Sequence, residues 1–297
     1  MQTKGKLTMK LPILTATLLL LCLLLGACSH CGEPAQIAAT TLPVYEFTSR
    51  LCQDTDLTVT QLIDQSVSCL HDYTLNVDQA RAVEHAELIV LSGGGLEDFM
   101  TDLLTGKQIL DSSRNVPLLE SCHDHNHDHG HHEEDAHIWL SPANARIMVT
   151  NIYEGLCQQY PQHKQIFEKN LIRLLADVDA LEAYGAAQLS SLSCRELITF
   201  HDGFAYFAEA FDLTILSAVE EEYGSEASAA ELKTLIRLVR EHHLPAIFTE
   251  TNGSTAAARI ISAETGATVF ALDMAMSGNS WLEAMYKNIN TVKEALG

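Results

Sequence analysis

Residues 162–192 read QHKQIFEKNLIRLLADVDALEAYGAAQLSSL, a stretch with no proline and one glycine. The apolar side chains that recur at helical spacing are Ile166, Phe167, Leu171, Leu174, Leu175, Val178 and Leu181. A helix over the whole stretch has about thirty residues and is about 45 Å long at 1.5 Å per residue. Because an ordinary crossover helix between neighbouring strands is shorter, the stretch predicts a helix that joins two halves of the chain.

On both sides of this stretch, apolar runs that resemble strands alternate with segments that resemble helices. Before it, we predict strands at 36–40, 57–63 and 87–92 and helices at 43–52, 77–86 and 96–104. After it, we predict strands at 196–200, 213–219, 246–249 and 268–272 and helices at 204–211, 229–242, 255–265 and 280–296. Such alternation is typical of parallel sheets. The predicted fold class is α/β, with two parallel-sheet lobes joined by one long rigid α-helix.

The predicted domains follow from this division. They are a signal segment at 1–27, an N-terminal lobe at 28–160, a linking helix at 161–192 and a C-terminal lobe at 193–297. Ligands of open α/β sheets bind beyond the carboxyl ends of the strands. We therefore expect a binding site in the cleft between the lobes.

The charge balance restricts the partners. The 297 residues include 18 Lys and Arg against 39 Asp and Glu, a formal net charge of −21. Nucleic-acid binding depends on Lys and Arg that displace counterions from phosphates. The composition therefore argues against a nucleic-acid partner and favours cations.

The N-terminus predicts export. Three lysines precede an uncharged run at 11–27, and the end of the run together with the next residue reads Leu-Gly-Ala-Cys at 25–28. A basic start, an apolar middle and small residues at the end are the parts of a secretory signal. The tetrapeptide at 25–28 resembles a bacterial lipobox, so we expect lipid on Cys28 to hold an extracytoplasmic protein on the cell membrane. The alternative is a plain signal with an incidental cysteine.

Some of the cysteines could pair in an exported protein. The sequence does not determine the pairing, but Cys52 and Cys69 lie at the edges of one predicted strand unit. The alternative is that the cysteines are reduced and partly buried.

Four side chains are candidates for a metal site in the cleft. They are His71, His137, His201 and Asp273, which lie just after predicted strands or in neighbouring loops. Three imidazoles and one carboxylate form a tetrahedral set that suits Zn²⁺, whereas a second carboxylate would favour Mn²⁺. The alternative is that histidines beside aspartates, such as His71 and His201, are hydrogen-bonded surface residues.

A run at 122–135 contains six histidines and five acidic residues. The histidines are His123, His125, His127, His129, His131 and His132. Such a run cannot form a core, and it offers many weak sets of metal ligands. We interpret it as an auxiliary metal-collecting loop that supplies the main site. The alternative is acidic low-complexity sequence without a specific role.

Two further acidic positions have weaker roles. Glu250, at the end of a predicted strand, could orient a ligand histidine, or it is an ordinary exposed carboxylate. The run at 220–222 reads as a solvated turn.

Five segments together resemble the zinc-specific solute-binding lipoproteins of ABC importers. This ZnuA-like group belongs to a cluster that also contains manganese binders and adhesin lipoproteins. The segments are LHDYTLNVDQAR at 70–81, AELIVLSGGGLEDFM at 86–100, DAHIWLSPANAR at 135–146, TFHDGFAYF at 199–207 and ETGATVFALDMA at 264–275. The resemblance implies that zinc binds between the lobes to His71, His137 and His201, with Asp273 or water as the fourth ligand.

The function implied is the capture of Zn²⁺ outside the cytoplasm and its delivery to an ABC permease and its ATPase, by a monomer that is not an enzyme. One alternative is a manganese or iron carrier of the same fold. Another is a histidine-rich storage protein or metallochaperone. A zinc hydrolase is less favoured, because the chain has no H-E-x-x-H motif.

Overall fold

Two four-stranded parallel sheets form the framework of the chain. The computed structural model describes residues 35–64, 70, 73–120, 134–219 and 227–297, and residues 35–297 belong to one compact unit. Across these described ranges, no helix is both long and apolar enough to cross a membrane.

The first sheet belongs to the N-terminal half. Its strands are β1 (Ile37–Ala39), β2 (Val59–Gln61), β3 (Leu88–Leu91) and β4 (Ile109–Asp111), in the order β2-β1-β3-β4. The helices of this half include α1 (Leu42–Leu51), α2 (Val77–His85) and the single turn α3 (Thr101–Leu104). The two central strands are almost completely buried, which explains why they read as continuous apolar runs.

Two long helices follow. Helix α4 (Pro142–Gln159) packs against α5 (Lys164–Leu189), which has 26 residues and is preceded by a 3₁₀ turn at Pro161–His163. The helix α5 confirms the predicted long helix, although it begins and ends within the predicted range. Seven of its residues are buried, among them Phe167, Leu174, Val178 and Leu181.

The second sheet has the same design. Its strands are β5 (Glu196–Thr199), β6 (Thr214–Ala218), β7 (Ala246–Glu250) and β8 (Thr268–Leu272), in the order β6-β5-β7-β8. Its helices are α6 (Ala205–Ala210), α7 (Ala229–Glu241), α8 (Ala256–Thr265) and α9 (Trp281–Leu296). Helix α7 begins with a capping box in which Ser228 and Glu231 satisfy each other's backbone N–H groups.

Three local features differ from the sequence-based expectation. The predicted helix at 96–104 is a 3₁₀ turn at Asp98–Met100 followed by the short α3. Strand β4 was not predicted, because only its middle residue is buried and no continuous apolar run marks it. Helix α4 was not predicted either, because Asn144 and Asn151 interrupt the apolar pattern of its buried face.

A buried carboxylate fastens the carboxyl edge of the first sheet. Glu97 is 4% exposed, and its carboxylate accepts hydrogen bonds from Thr40 Oγ1 at 2.6 Å, Ser92 N at 2.8 Å and Gly93 N at 3.0 Å. Burial nevertheless raises the pKa of Glu97 to about 7, against the effect of these three donors. The turn after β3 is therefore built around a carboxylate that changes its charge near neutral pH.

The two halves meet along a seam of indole and backbone hydrogen bonds. Trp139 Nε1 donates to the carbonyl of Met274 at 2.8 Å, and Trp281 Nε1 donates to the carbonyl of Trp139 at 3.0 Å. Leu42 N donates to the carbonyl of Met276 at 3.3 Å. The segment that follows β8 is thus tied to the N-terminal half, and one hydrophobic core contains residues of both halves.

The described cysteines are reduced. Cys52, Cys157 and Cys194 are free thiols, and the first of them is buried. The expected pairing of Cys52 with Cys69 is therefore wrong, and the alternative of reduced, partly buried cysteines holds for these three. Burial raises the pKa of Cys52 to about 12, so this thiol stays protonated.

Candidate metal site

Two of the predicted ligands come together at the boundary between the halves. His137 lies directly before the 3₁₀ turn Ile138–Leu140, and His201 lies two residues after the end of β5. Their Nε2 atoms are 3.4 Å apart, and their ring planes are nearly perpendicular, at 89°. The sequence placed both histidines at this cleft, and the structure brings them into contact.

The spacing of the two nitrogens suits a shared metal ion. Zinc binds imidazole nitrogen at about 2.0 to 2.1 Å in tetrahedral geometry, which separates two ligand nitrogens by about 3.3 Å. The observed 3.4 Å between the Nε2 atoms matches this separation. The pair can therefore accept one tetrahedral dication without a large movement of either ring.

A carboxylate holds His137 in place from behind. Asp135 Oδ1 lies 2.7 Å from His137 Nδ1 and accepts the backbone N–H of His137 at 2.9 Å. Asp135 is only 6% exposed. With the proton on Nδ1, as this acceptor requires, the lone pair of Nε2 faces His201.

Asp135 is itself fixed by its backbone. Its N–H donates to the carbonyl of Leu119 at 2.8 Å, and its carbonyl accepts the hydroxyl of Tyr206 at 2.9 Å. The same hydroxyl accepts the N–H of Leu119 at 2.8 Å. Tyr206 belongs to α6, so a helix of the C-terminal half helps to hold the loop that carries His137. Asp135 is the last residue of the histidine-rich run and was not among the residues predicted for the site.

A second carboxylate lies behind His201. Glu250 is 4% exposed, and its Oε2 lies 3.9 Å from His201 Nδ1. Burial and, to a smaller extent, the negative charge of Asp273 raise the pKa of Glu250 to about 8. Of the two interpretations of Glu250 from the sequence, the exposed carboxylate is wrong.

Asp273 follows β8 directly, as predicted, but its carboxylate already has other partners. Oδ1 accepts the N–H of Ala275 at 2.9 Å, and Oδ2 lies 3.9 Å from Lys287 Nζ. Asn288 braces the backbone of Asp273 through two hydrogen bonds. Within the described residues, no three His, Cys, Asp or Glu side chains are close enough to hold a metal together.

The packing at the histidine pair leaves no room for an added side chain. A Cβ atom on Gly203 would lie 2.8 Å from His201 Cδ2, 3.1 Å from His137 Cδ2 and 2.6 Å from Met274 Cε. Trp139 packs against the edge of the His137 ring, with the centroids 5.5 Å apart. The absence of a side chain at position 203 therefore allows the two imidazoles to approach each other.

Several predicted residues lie outside the described ranges. They are His71, the six histidines between His123 and His132, Cys28, Cys69 and the run at 220–222. The third imidazole, the metal-collecting loop and the lipid site stay predictions from the sequence.

Comparisons with known proteins agree on one family. The family model for ZnuA, described as "Zinc-uptake complex component A periplasmic", matches residues 37–295. The chain is 29% identical over 307 residues to the zinc-binding lipoprotein AdcA of Streptococcus pneumoniae, an alignment that covers 96% of this chain and 60% of the relative. The chain therefore spans less than two thirds of that relative's length.

Two other relatives are covered almost completely. The chain is 27% identical over 290 residues to the high-affinity zinc uptake system protein ZnuA of Bacillus subtilis, covering 91% of this chain and 90% of the relative. The crystal structure of the Zn(II)-bound ZnuA-like domain of Streptococcus pneumoniae AdcA is similar with a TM-score of 0.75 and 27% identity, covering 89% of this chain and 99% of that one. With two parallel sheets, a long linking helix and a match from residue 37 to residue 295, the chain belongs to the ZnuA family of zinc-uptake component A proteins.

Proposed function

We propose that this protein captures Zn²⁺ outside the cytoplasm and delivers it to an ABC permease energised by its ATPase. The observation that carries the proposal is the 3.4 Å separation of His137 Nε2 and His201 Nε2. Relatives over most of the chain are named as zinc-binding and zinc-uptake proteins, and one similar structure is described as Zn(II)-bound.

In this proposal, His71, His137 and His201 are the zinc ligands, and Asp273 or a water is the fourth. Imidazole nitrogen suits zinc, whereas a site with more carboxylates would suit Mn²⁺. The preponderance of imidazole over carboxylate in this ligand set favours zinc over the manganese or iron alternative. The protein binds and releases its ion and carries out no catalysis.

The remaining parts of the chain fit the same role. Residues 1–27 serve as a signal, Cys28 carries lipid, and lobes at 28–160 and 193–297 are joined through 161–192. The monomer is then anchored to the outer face of the cell membrane without a spanning helix. The histidines at 123–132 collect zinc for the cleft rather than binding it tightly, because ordering such a loop costs conformational entropy.

Titration of the purified protein with Zn²⁺ by calorimetry tests the proposal. We expect one tight site, which is lost when His71→Ala, His137→Ala or His201→Ala is introduced. Affinity should fall as the pH is lowered, since protons compete with zinc for imidazole nitrogen. The matched control is His85→Ala, because His85 is exposed on α2 and lies outside the cleft. Unchanged zinc affinity in the His137→Ala and His201→Ala variants would overturn the ligand assignment.

Two further measurements separate the alternatives. Competition between Zn²⁺ and Mn²⁺ should leave zinc bound, and preference for Mn²⁺ would favour the manganese carrier. Deletion of residues 123–132 should leave the single tight site in place. A storage protein would instead lose most of its zinc capacity with that deletion.

A further inference from the structure

The strand register places Glu250 beside His201. Thr199 of β5 pairs with Phe248 of β7, and the N–H of Phe200 donates to the carbonyl of Phe248 at 2.8 Å. His201 lies two residues beyond Thr199, and Glu250 lies two residues beyond Phe248. The carboxyl ends of these two neighbouring parallel strands therefore bring the two residues to the same edge of the sheet.

The surroundings of Glu250 are not those of a solvated carboxylate. Only 4% of the residue is exposed, and its Oε2 lies 3.9 Å from His201 Nδ1. On the other side, Glu250 pairs with Leu272 of β8, so Asp273 begins the next loop beside it. Burying a carboxylate away from water costs free energy unless a hydrogen-bond donor or a positive charge compensates for the lost hydration.

The two histidines have the same type of arrangement. Their Nε2 atoms face each other, while a buried carboxylate lies behind each Nδ1: Asp135 behind His137 at 2.7 Å and Glu250 behind His201 at 3.9 Å. A histidine that binds a metal through Nε2 carries its proton on Nδ1, and an acceptor there fixes the tautomer and the direction of the ring.

The geometry points to Glu250 as a positioning residue that directs His201 Nε2 toward the metal, because its Oε2 can accept a hydrogen bond from the Nδ1–H of His201. The inference rests on the proposed zinc site and adds a residue to it. Since Glu250 faces Nδ1 and not Nε2, it acts through His201 and is not itself a ligand. The distance of 3.9 Å exceeds that of a hydrogen bond, so we expect it to shorten when zinc is bound.

Calorimetric titration with Zn²⁺ compares the purified wild type with Glu250→Ala and Glu250→Gln. We expect Glu250→Ala to weaken zinc binding by about tenfold to a hundredfold. The Glu250→Gln variant keeps an oxygen acceptor and should recover a large part of that loss. The matched control is Glu209→Gln, an exposed glutamate on α6 of the same half, which should leave affinity unchanged.

The exchange rate of the His201 ring proton distinguishes positioning from a general structural effect, because it reports directly on the hydrogen bond at Nδ1. In ¹H–¹⁵N spectra of the zinc-bound protein, the Nδ1–H of His201 should exchange slowly with water in the wild type and faster in Glu250→Ala. Circular dichroism should show that each variant is folded.

The outcomes separate this inference from the proposed function. If the wild type binds no zinc, the proposed function fails. If the wild type binds zinc tightly and Glu250→Ala binds it within twofold of the same affinity, the positioning role fails while the zinc site stands. A zinc-bound structure in which Nδ1 and Oε2 stay more than about 3.5 Å apart would also overturn it.

Discussion

Asp135 holds His137 at two points, through Oδ1 to the ring Nδ1 at 2.7 Å and to the backbone N–H at 2.9 Å. One carboxylate oxygen therefore sets both the path of the backbone and the direction of the ring. Such a double contact orients the imidazole before any metal arrives, which reduces the entropy lost on binding.

The substitution Asp135→Ala should weaken zinc binding by about tenfold to a hundredfold, because it removes the acceptor that fixes the His137 tautomer. Calorimetric titration measures the change, and Asp102→Ala on the exposed face of α3 is the control. Equal zinc affinity for Asp135→Ala and the wild type would contradict the role given to this contact.

The seam between the halves predicts a change in stability. The substitution Trp139→Phe removes the donor to the carbonyl of Met274. It also creates a small cavity beside that carbonyl. We expect the free energy of unfolding to fall by about 2 kcal/mol. Urea unfolding followed by circular dichroism measures it. Tyr184→Phe removes an exposed hydrogen bond to Asn290 and should change stability by much less. If Trp139→Phe lowers the free energy of unfolding no more than Tyr184→Phe does, the hydrogen bond of Trp139 does not stabilise the contact between the halves.

Glu97 predicts a dependence of stability on pH. Its pKa rises from 4.5 to about 7 on folding, so the folded protein holds a proton that the unfolded chain releases in this range. The contribution of this group is therefore most favourable below pH 4.5 and is lost as the pH rises through 7. Between pH 5 and pH 8, the wild type should lose about 2 kcal/mol more unfolding free energy than Glu97→Gln.

Chemical denaturation at several pH values measures this difference. The comparison uses the slope of the unfolding free energy against pH and not its absolute value, since the amide in Glu97→Gln cannot accept all three hydrogen bonds. Parallel slopes for the two proteins would show that Glu97 does not take up a proton in this range.

Lys287 predicts a change in metal affinity. Its Nζ lies 3.9 Å from Asp273 Oδ2, and the lysine side chain is 59% exposed. Exposed ion pairs contribute little, so Lys287→Met should tighten zinc binding by only about twofold to fivefold if Asp273 is the fourth ligand. Lys233→Met, an exposed lysine on α7, is the control. If Lys287→Met and Asp273→Asn both leave affinity unchanged, water occupies the fourth position.

The sequence predicted best where one physical pattern ran without interruption. The periodic apolar residues of α5 predicted the long helix, and the apolar runs of β3 and β7 predicted buried parallel strands. Helix α4 was missed because Asn151 lies on its buried face, where its amide donates to the carbonyls of Ser112 and Arg114. A polar residue satisfied by distant carbonyls looks like a solvent-exposed position in the sequence.

The residues of the candidate metal site were likewise only partly predictable from the sequence. The positions of His137 and His201 at the boundary between the halves could be predicted, because each stands next to a predicted element. Asp135 could not be separated from the acidic run before it, since its role depends on Tyr206, 71 residues away. Glu250 required the register of β5 against β7 to show what it faces. Long-range contacts of this type leave little trace in a single sequence.

The chain contains two tryptophans, Trp139 and Trp281, and both are buried in the seam between its halves. All indole fluorescence of the unmodified protein therefore comes from the surface across which one lobe would turn against the other. Opening of the cleft would break the indole hydrogen bonds and admit water to the rings. The two indoles are thus a native optical probe of this seam, and emission spectra recorded during a zinc titration test whether the seam changes when the ion binds.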